Sequence, residues 1–294
     1  MRKLVFLLSA VFILSSSLAL AEENATGDST VNINNTSPTI ETIFLSDVDG
    51  VQATGGMDLS AGTTQTIYCY GTYNDEDGLG DVQGVSARIW NNGLSSFSGS
   101  ENLEEHYRNE TCSAIDGDFS CEFDVEFFAR PGTWNCNATV VDTSLDEGTG
   151  QASETMNELL GISIPENLLI DFGSVGLGAT STSRQVPVNN TGNINLDFGL
   201  DAFRAGNTTS DTEGMNCSIA GTIPTSNFEV SADDTTFDNL VGLGPMYQLV
   251  TALSPATDIS PTPTTQDVFW RLSVPSVGVG GSCSGKVYFE AIAN

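Results

Sequence analysis

The feature that most constrains this chain is a period-two alternation of apolar residues between Ile40 and Ile164, interrupted every eight to fifteen residues by Gly, Asn, Asp or Pro. Such alternation places apolar side chains on one face of a strand, whereas a helix repeats them every three or four residues. Four stripes carry the pattern: residues 67–73, 85–89, 119–127 and 134–140. They predict short strands packed as a β-sandwich. Only Ser153–Leu160 suggests a helical period.

The N-terminus has the features of a secretory signal. Arg2 and Lys3 precede an apolar run, and small residues at Ala19 and Ala21 form a cleavage pattern. This predicts a signal peptide over residues 1–21 and a secreted, extracellular or cell-surface product. No later apolar run is long enough to span a membrane, and the C-terminus lacks a lipidation motif.

The remaining chain is long enough for two domains. Residues 22–38 are polar and predict a flexible N-terminal arm. Within the arm, Val31 and Ile33 alternate, so it could add a strand to an exposed sheet edge of a neighbour. A proline at Ile164-Pro165 marks the boundary between a first sandwich, residues 39–165, and a second, residues 166–294. Residues 233–263 predict a long irregular loop, with a short apolar element at Tyr247–Val250.

Charge narrows the possible partners. The chain has 9 basic and 38 acidic residues, a formal net charge of −29. This balance excludes nucleic acid and anionic membranes as partners. A surface rich in carboxylates and poor in lysine suits high salt, divalent cations or simple solubility, and the sequence does not rank these causes.

The six cysteines predict disulfide bonds. Their number is even, the chain is routed to an oxidising compartment, and close Cys-x-x-Cys or Cys/His pairs typical of zinc are absent. Eight N-x-S/T sequons predict glycosylation in surface loops, with chance occurrence in an Asn-rich sequence as the alternative. They lie at Asn24, Asn34, Asn35, Asn109, Asn137, Asn189, Asn207 and Asn216.

The order Cys69, Trp90, Cys136 resembles the Cys…Trp…Cys spacing of immunoglobulin-like domains, and Trp134 stands where their corner tyrosine lies. Trp90 falls on the face opposite the apolar stripe of its strand, which indicates an outward position. Four cysteines in this half allow three connectivities, of which we favour Cys69–Cys136 across the sheets and Cys112–Cys121 within a hairpin.

The second half contains Asp171-Phe172-Gly173 followed by Val186-Pro187-Val188 and Asn190-Thr191-Gly192-Asn193. This pattern resembles the sandwich domains of the ASPM/SPD-2/hydin group. The resemblance implies an exported microbial surface protein, an archaeal one among the candidates. Near the C-terminus, two apolar stripes at residues 268–274 and 283–291 predict facing strands, and the last cysteines predict the bond Cys217–Cys283.

Oxygen donors cluster in Asn74–Asp81, at the end of a strand. Calcium takes six to eight oxygen ligands, so Asp75, Asp77 and Asp81 are candidate calcium ligands. Asp47 and Asp49 would add to them if their loop lay at the same end of the sandwich. The alternative is a solvated Asp-Gly turn without metal. No other cofactor is predicted.

Catalytic motifs are not found in the sequence. The single histidine, His106, lies in a polar context that predicts a surface position, and no nucleophile elbow or phosphate-binding loop occurs.

We therefore predict a non-enzymatic extracellular structural or adhesive protein of a cell envelope, surface layer or filament. Its partners would be itself, other envelope proteins or surface glycans. The first alternative is a carbohydrate- or protein-binding module using Trp90 and Tyr107. A secreted glycosidase is a distant alternative, because it needs only two carboxylates.

Overall fold

The computed structural model describes residues 29–206, 212–240 and 246–294. Within these ranges the regular structure is β, arranged in four antiparallel sheets, with two short 3-10 helices at Leu79–Asp81 and Thr225–Asn227. The strands are β1 Thr39–Ser46, β2 Gln65–Asn74, β3 Val82–Asn91, β4 His106–Asn109, β5 Ser113–Ile115, β6 Asp118–Val125, β7 Gly132–Asp142, β8 Glu147–Met156, β9 Ile162–Ser163, β10 Arg184–Asn190, β11 Leu196–Phe203, β12 Glu213–Cys217, β13 Thr222–Pro224, β14 Phe228–Ser231, β15 Asp238–Asn239, β16 Tyr247–Leu253, β17 Thr264–Leu272 and β18 Cys283–Ala293. No helix in the described part is long and apolar enough to cross a membrane.

The predicted all-β, sandwich-like fold is confirmed. The suggested helix over Ser153–Leu160 is wrong, because its first four residues complete β8. Alternating small and polar side chains in β8 suit a strand that is half exposed. The apolar element predicted at Tyr247–Val250 is part of β16.

The first sandwich packs the sheet β1-β2-β6-β5 against the sheet β4-β3-β7-β8. The four predicted apolar stripes supply most of its core, and Cys69–Cys136 joins β2 to β7 across that core. Cys112–Cys121 closes the β5–β6 hairpin region. Both bonds are the pairs that the sequence favoured.

The core tryptophan of this sandwich is Trp134. It is fully buried, its ring centroid lies 6.0 Å from that of Tyr107, and its Nε1 donates to the carbonyl oxygen of Arg130 at 2.8 Å. That bond ties the start of β7 to the backbone four residues upstream. Trp134 therefore performs the packing and tethering expected of residues at this corner of an immunoglobulin-like domain.

Two glycines of β8 allow β1 to pack closely against it at one side of the first sandwich. A Cβ atom on Gly148 of β8 would lie 2.0 Å from the carbonyl oxygen of Pro38, and one on Gly150 would lie 2.7 Å from Cγ2 of Ile40. Because these positions have no side chain, β1 approaches β8 closely although the two strands belong to different sheets.

The second sandwich packs the sheet β15-β14-β17-β10-β9 against the sheet β13-β12-β18-β11-β16. The two C-terminal stripes face each other across the core, with the rings of Trp270 and Phe289 at 5.6 Å. The disulfide Cys217–Cys283 joins β12 to β18, as predicted.

A hydrogen-bonded junction connects the two sandwiches. Asn193 is 2% exposed. Its Nδ2 donates to the carbonyl oxygens of Ala129 and Asn157, both at 3.1 Å, and its Oδ1 accepts from the Leu159 N–H at 2.7 Å. Phe127 and Phe128, which lie between β6 and β7, form a small buried apolar cluster with Ala256, which lies between β16 and β17. Strand β8 belongs to a sheet of the first sandwich, and β9 belongs to a sheet of the second. The domain boundary predicted at residue 165 stays a prediction.

Candidate functional site

The end of the first sandwich that lies away from the second carries an acidic pole, defined here as Asp75, Asp77, Asp81, Asp142 and Asp146. Asp75 to Asp81 follow β2, and Asp142 and Asp146 form the turn between β7 and β8. One carboxylate oxygen from each of Asp75, Asp77 and Asp81 lies within 4.8 Å of the others. The structure therefore brings together three of the predicted calcium ligands.

Asp75 is the unusual member of the pole. It is 5% exposed; its Oδ1 accepts the Asp77 N–H at 2.9 Å, while its Oδ2 is buried without a hydrogen-bond partner. A buried carboxylate oxygen without a donor is costly unless a cation approaches it. Oxygen donors at this spacing match the ligands that calcium prefers.

Asp47 and Asp49 do not belong to this pole, so their inclusion as ligands is wrong. Antiparallel pairing sets Ser46 opposite Tyr68 and Thr39 opposite Asn74. Asp47 thus lies near the start of β2 and Asp75 after its end, roughly 20 Å or more apart at about 3.3 Å per residue. The two loops occupy opposite ends of the sandwich.

The acidic pole also holds the base of the N-terminal arm. Asn35 Nδ2 donates to Asp142 Oδ2 at 2.7 Å and to Asp146 Oδ2 at 2.9 Å, and the Thr36 N–H donates to Asp77 Oδ2 at 2.6 Å. The bond from Asn35, with backbone donors in the turn, holds the pKa of Asp142 below its usual value. The sequence signal for this turn is a pair of acids four residues apart, of which Asp142 ends β7 and Asp146 precedes β8.

The last strand, β18, has an open edge over residues 286–293. Lys286 to Ala293 pair only with β11, and Cys283 to Gly285 pair only with β12. Among the described residues no strand pairs with the other side of this eight-residue stretch. By contrast, β11 pairs with β18 on one side and with β16 on the other.

Burial follows this difference in pairing. All eight residues of β11 are buried, whereas no residue of β18 is. Val287, Phe289 and Ala291 point to the core, yet they remain half-buried. The sequence predicted this stripe but not its exposure, because alternation looks the same in an edge strand and in a central one.

A groove lies beside the beginning of the open edge. Its volume is about 380 Å³. Its walls come from the irregular segment 164–172 and from strands β12, β14 and β18, with Leu168, Ile170, Phe172, Met215 and Val287 among the apolar lining residues. Apolar surface at an unpaired strand is a common feature of sites where a further strand binds.

The histidine expected at the surface is buried. His106 is 0% exposed, and neither ring nitrogen has a hydrogen-bond partner. It pairs with Trp90 across β3 and β4, on the face away from the core. Burial lowers its pKa, with Arg108 and Arg88 acting in the same direction.

Neither aromatic residue proposed for ligand contact is accessible. Trp90 lies outside the main core cluster, as predicted, but is only 5% exposed, and it packs edge-on against Phe97 at 6.0 Å. Tyr107 is 6% exposed and donates through its hydroxyl to the Leu103 carbonyl oxygen. The predicted role of these two residues is therefore wrong. Sequence position alone did not reveal that the segment containing Phe97 covers Trp90, or that Tyr107 packs in the core beside Trp134.

The described sequons differ in accessibility. Asn34, Asn35 and Asn216 are exposed, while Asn109, Asn137 and Asn189 are half-buried. Asn137, Asn189 and Asn216 lie in strands β7, β10 and β12, not in loops. Asn24 and Asn207 lie outside the described residues. Glycosylation at all eight positions stays a prediction.

No protein-family model matches the chain, and no curated protein sequence does either. Among solved structures, the chain is similar to a chaperone complex of the tip adhesion subunit of Acinetobacter baumannii Csu pili, with 10% identity, 85% of this chain and 99% of that chain covered, and a TM-score of 0.37. A carbohydrate-binding module of the β-sandwich superfamily is 11% identical to this chain. The match covers 89% of this chain and 99% of the module, with a TM-score of 0.26. The C-terminal domain of the Streptococcus agalactiae antigen I/II polypeptide BspA is 12% identical to this chain. The match covers 87% of this chain and 96% of that domain, with a TM-score of 0.25. At these TM-scores none of the three identifies the chain.

Proposed function

We propose that this chain is a non-enzymatic structural and adhesive protein of the cell surface, a component of a layer or filament that joins its assembly through the open edge of β18. The observation that carries the proposal is the eight-residue stretch of unpaired strand whose core-facing side chains are half-buried. An unpaired edge exposes backbone donors and acceptors that a further strand can satisfy.

The cysteine chemistry supports an extracellular location. All six cysteines pair, and none of the described ones is free. Disulfides of this kind persist in oxidising compartments. Two of the three bonds close loops of more than sixty residues, with sequence separations of 67 and 66. Such long-range bonds limit the freedom of the unfolded chain, which suits a protein exposed outside the cell.

We also propose calcium as a ligand of the acidic pole. Asp75, Asp77 and Asp81 would hold the ion, and the unpartnered Oδ2 of Asp75 supports this choice. Because Asp77 also accepts the Thr36 N–H, a bound ion would stiffen the base of the arm. Calcium would thus organise one end of the molecule and take no part in a reaction.

A charge on the open edge tests the proposed function. In Ala291→Lys the new side chain begins on the half-buried, core-facing side of β18, and its ammonium reaches solvent by extending past the open edge, where an inward charge opposes strand addition. Tyr288→Lys places the same charge on the outer face of β18 as the matched control. We expect the secreted chain and the control to form concentration-dependent assemblies in analytical ultracentrifugation, and Ala291→Lys to stay monomeric with an unchanged circular dichroism spectrum.

Cell-surface localisation is a separate part of this test. Immunogold labelling of the host should place the protein at the envelope, with loss of regular surface structure or adhesion in a deletion strain. A chain that is monomeric at every concentration, with and without calcium, and that binds glycans on an array would contradict the proposal. That outcome would favour the alternative of a secreted carbohydrate-binding module.

A further inference from the structure

We infer that the strand completing the open edge of β18 is the N-terminal arm of a second copy of this chain, residues 29–34. This inference rests on the proposed function and names its partner. It joins two surfaces of the same molecule that the described structure leaves unsatisfied: an apolar arm segment and an unpaired strand.

The arm has the side-chain pattern that such a strand needs. Val31 and Ile33 are each 81% exposed, and they alternate with Thr30, Asn32 and Asn34. In an extended conformation the two apolar side chains share one face, and the polar side chains share the other. β-Branched residues favour strands, so the segment is suited to a half-buried position in a sheet.

The edge offers the complementary surface. Val287, Phe289 and Ala291 lie two residues apart along β18 and are only half-buried, so apolar surface remains uncovered on the strand whose other side is unpaired. The apolar face of the arm would cover these side chains, while its backbone would bond to the free groups of β18. The open stretch of eight residues exceeds the six-residue arm segment in length.

The arm of the same chain is too short to fill this edge. Asn35 is fixed at the turn between β7 and β8, where β8 begins. The nearest end of the open stretch, Ala293, lies beyond the other end of β8, because the adjoining Asn294 N–H bonds to Asn195 in the same turn as the junction residue Asn193.

The ten residues of β8 span roughly 33 Å at about 3.3 Å per residue. Val31 stands four residues from Asn35 and can reach about 14 Å at most. The acceptor of Val31 and Ile33 is therefore a second copy.

Donor and acceptor lie on different parts of the molecule. The arm leaves the acidic pole of the first sandwich, and the acceptor is the last strand of the second. Contacts between two different surfaces are heterologous, and they produce open chains unless the rotation between copies closes a ring. The expected product is a head-to-tail filament.

Charge on the arm provides the first test. The full secreted chain from Glu22 is compared with Val31→Asp/Ile33→Asp and with Asn32→Asp, which adds charge to the polar face. Losing the burial of two apolar side chains should raise the dissociation constant of association about a hundredfold or more in the double variant. Asn32→Asp should assemble like the parent chain. Equal assembly of the double variant and the control overturns the inference.

The outcomes of the two proposals are distinguishable. If Ala291→Lys is monomeric while Val31→Asp/Ile33→Asp still assembles, β18 is the joining edge but the arm is not its occupant. If no variant and no parent chain assembles, both fail.

A chemical trap provides the second test and does not depend on folding of the charged variants. Ile33→Cys and Ala291→Cys are made in separate chains, since all native cysteines are paired. Mixed under oxidising conditions, the two should give a covalent heterodimer, and electron microscopy of the parent chain should show filaments. A mixture of Asn32→Cys with Ala291→Cys is the control for random contact. Equal crosslinking in both mixtures counts against the inferred strand.

Discussion

Asp75 has one carboxylate oxygen that accepts a backbone N–H and one that is buried without a partner. Without a cation, a negative charge in this position opposes folding. With calcium bound, the same charge stabilises the fold through the binding free energy, by about 2.7 kcal/mol at a calcium concentration a hundredfold above the dissociation constant.

Asp75→Asn should therefore separate the two effects. We expect the variant to unfold at a higher temperature than the parent chain in a chelator and to lose the calcium-dependent rise of that temperature. Asp49→Asn, at the other end of β2, should keep the full response to calcium. Differential scanning fluorimetry with and without calcium measures both. An unchanged calcium response in Asp75→Asn would remove this residue from the site.

His106 links stability to pH. Its pKa is lowered by burial, by Arg108 and by Arg88, against the Phe97 carbonyl and Glu101, which raise it. Below the unfolded-state pKa of about 6.5, the unfolded chain takes up a proton that the folded chain does not. The free energy of unfolding should thus fall as pH decreases below about 6.5, by up to about 1.4 kcal/mol per pH unit.

Urea unfolding between neutral and mildly acidic pH measures this dependence. In His106→Phe the contribution of the histidine is lost, while the carboxylates still titrate, so the variant should show a shallower fall than the parent chain. Identical pH profiles would mean that His106 does not titrate differently in the folded and unfolded states.

At the scale of elements, the close approach of β1 and β8 depends on a missing side chain. Alanine at Gly148 would meet the backbone oxygen of Pro38, which cannot rotate away. Gly148→Ala should cost about 1–3 kcal/mol of unfolding free energy because the strands must separate. Gly84→Ala, in β3 with no neighbour within 4 Å of its added Cβ, should change stability by less than about 1 kcal/mol. Chemical denaturation of both variants tests this, and equal effects would exclude the strand contact as the cause.

The strands of the first sandwich were predictable because each has an apolar face with period two, and the core stripes around Cys69 and Cys136 lie where the alternation placed them. What alternation does not specify is the partner of each strand. The open edge of β18 and the separation of Asp47 from Asp75 both follow from pairing between distant segments. The burial of His106 likewise depends on residues 92–105 covering one sheet face, which no local pattern indicates.

At the scale of the whole molecule, the turn after β10 performs two tasks. Asn190 Oδ1 accepts the Gly192 N–H at 2.9 Å and shapes the turn. Gly192 has no side chain, and a Cβ there would lie 2.1 Å from the Leu159 carbonyl oxygen. Asn193 then bonds to the other sandwich through both polar atoms of its amide. The motif read from the sequence as turn chemistry thus also forms the junction.

Asn193→Ala should uncouple the two sandwiches. The change leaves the Leu159 N–H without its side-chain acceptor and the carbonyls of Ala129 and Asn157 without their amide donor, at a cost of about 2–4 kcal/mol. Because these groups join the two cores, calorimetry should show one coupled transition in the parent chain and two separate transitions in the variant.

Asn239→Ala is the matched control, since its amide donates only to the Ser226 carbonyl oxygen within the second sandwich. The control should keep a single transition with a small loss of stability. If Asn193→Ala also unfolded in one transition, the remaining contacts between the sandwiches would be sufficient to couple them, namely the bonds of Asp258 with Leu103 and Glu104 and the apolar cluster around Phe128. A head-to-tail filament of the kind proposed would transmit force through this junction in every copy, so loss of the three Asn193 bonds should make such a filament more flexible.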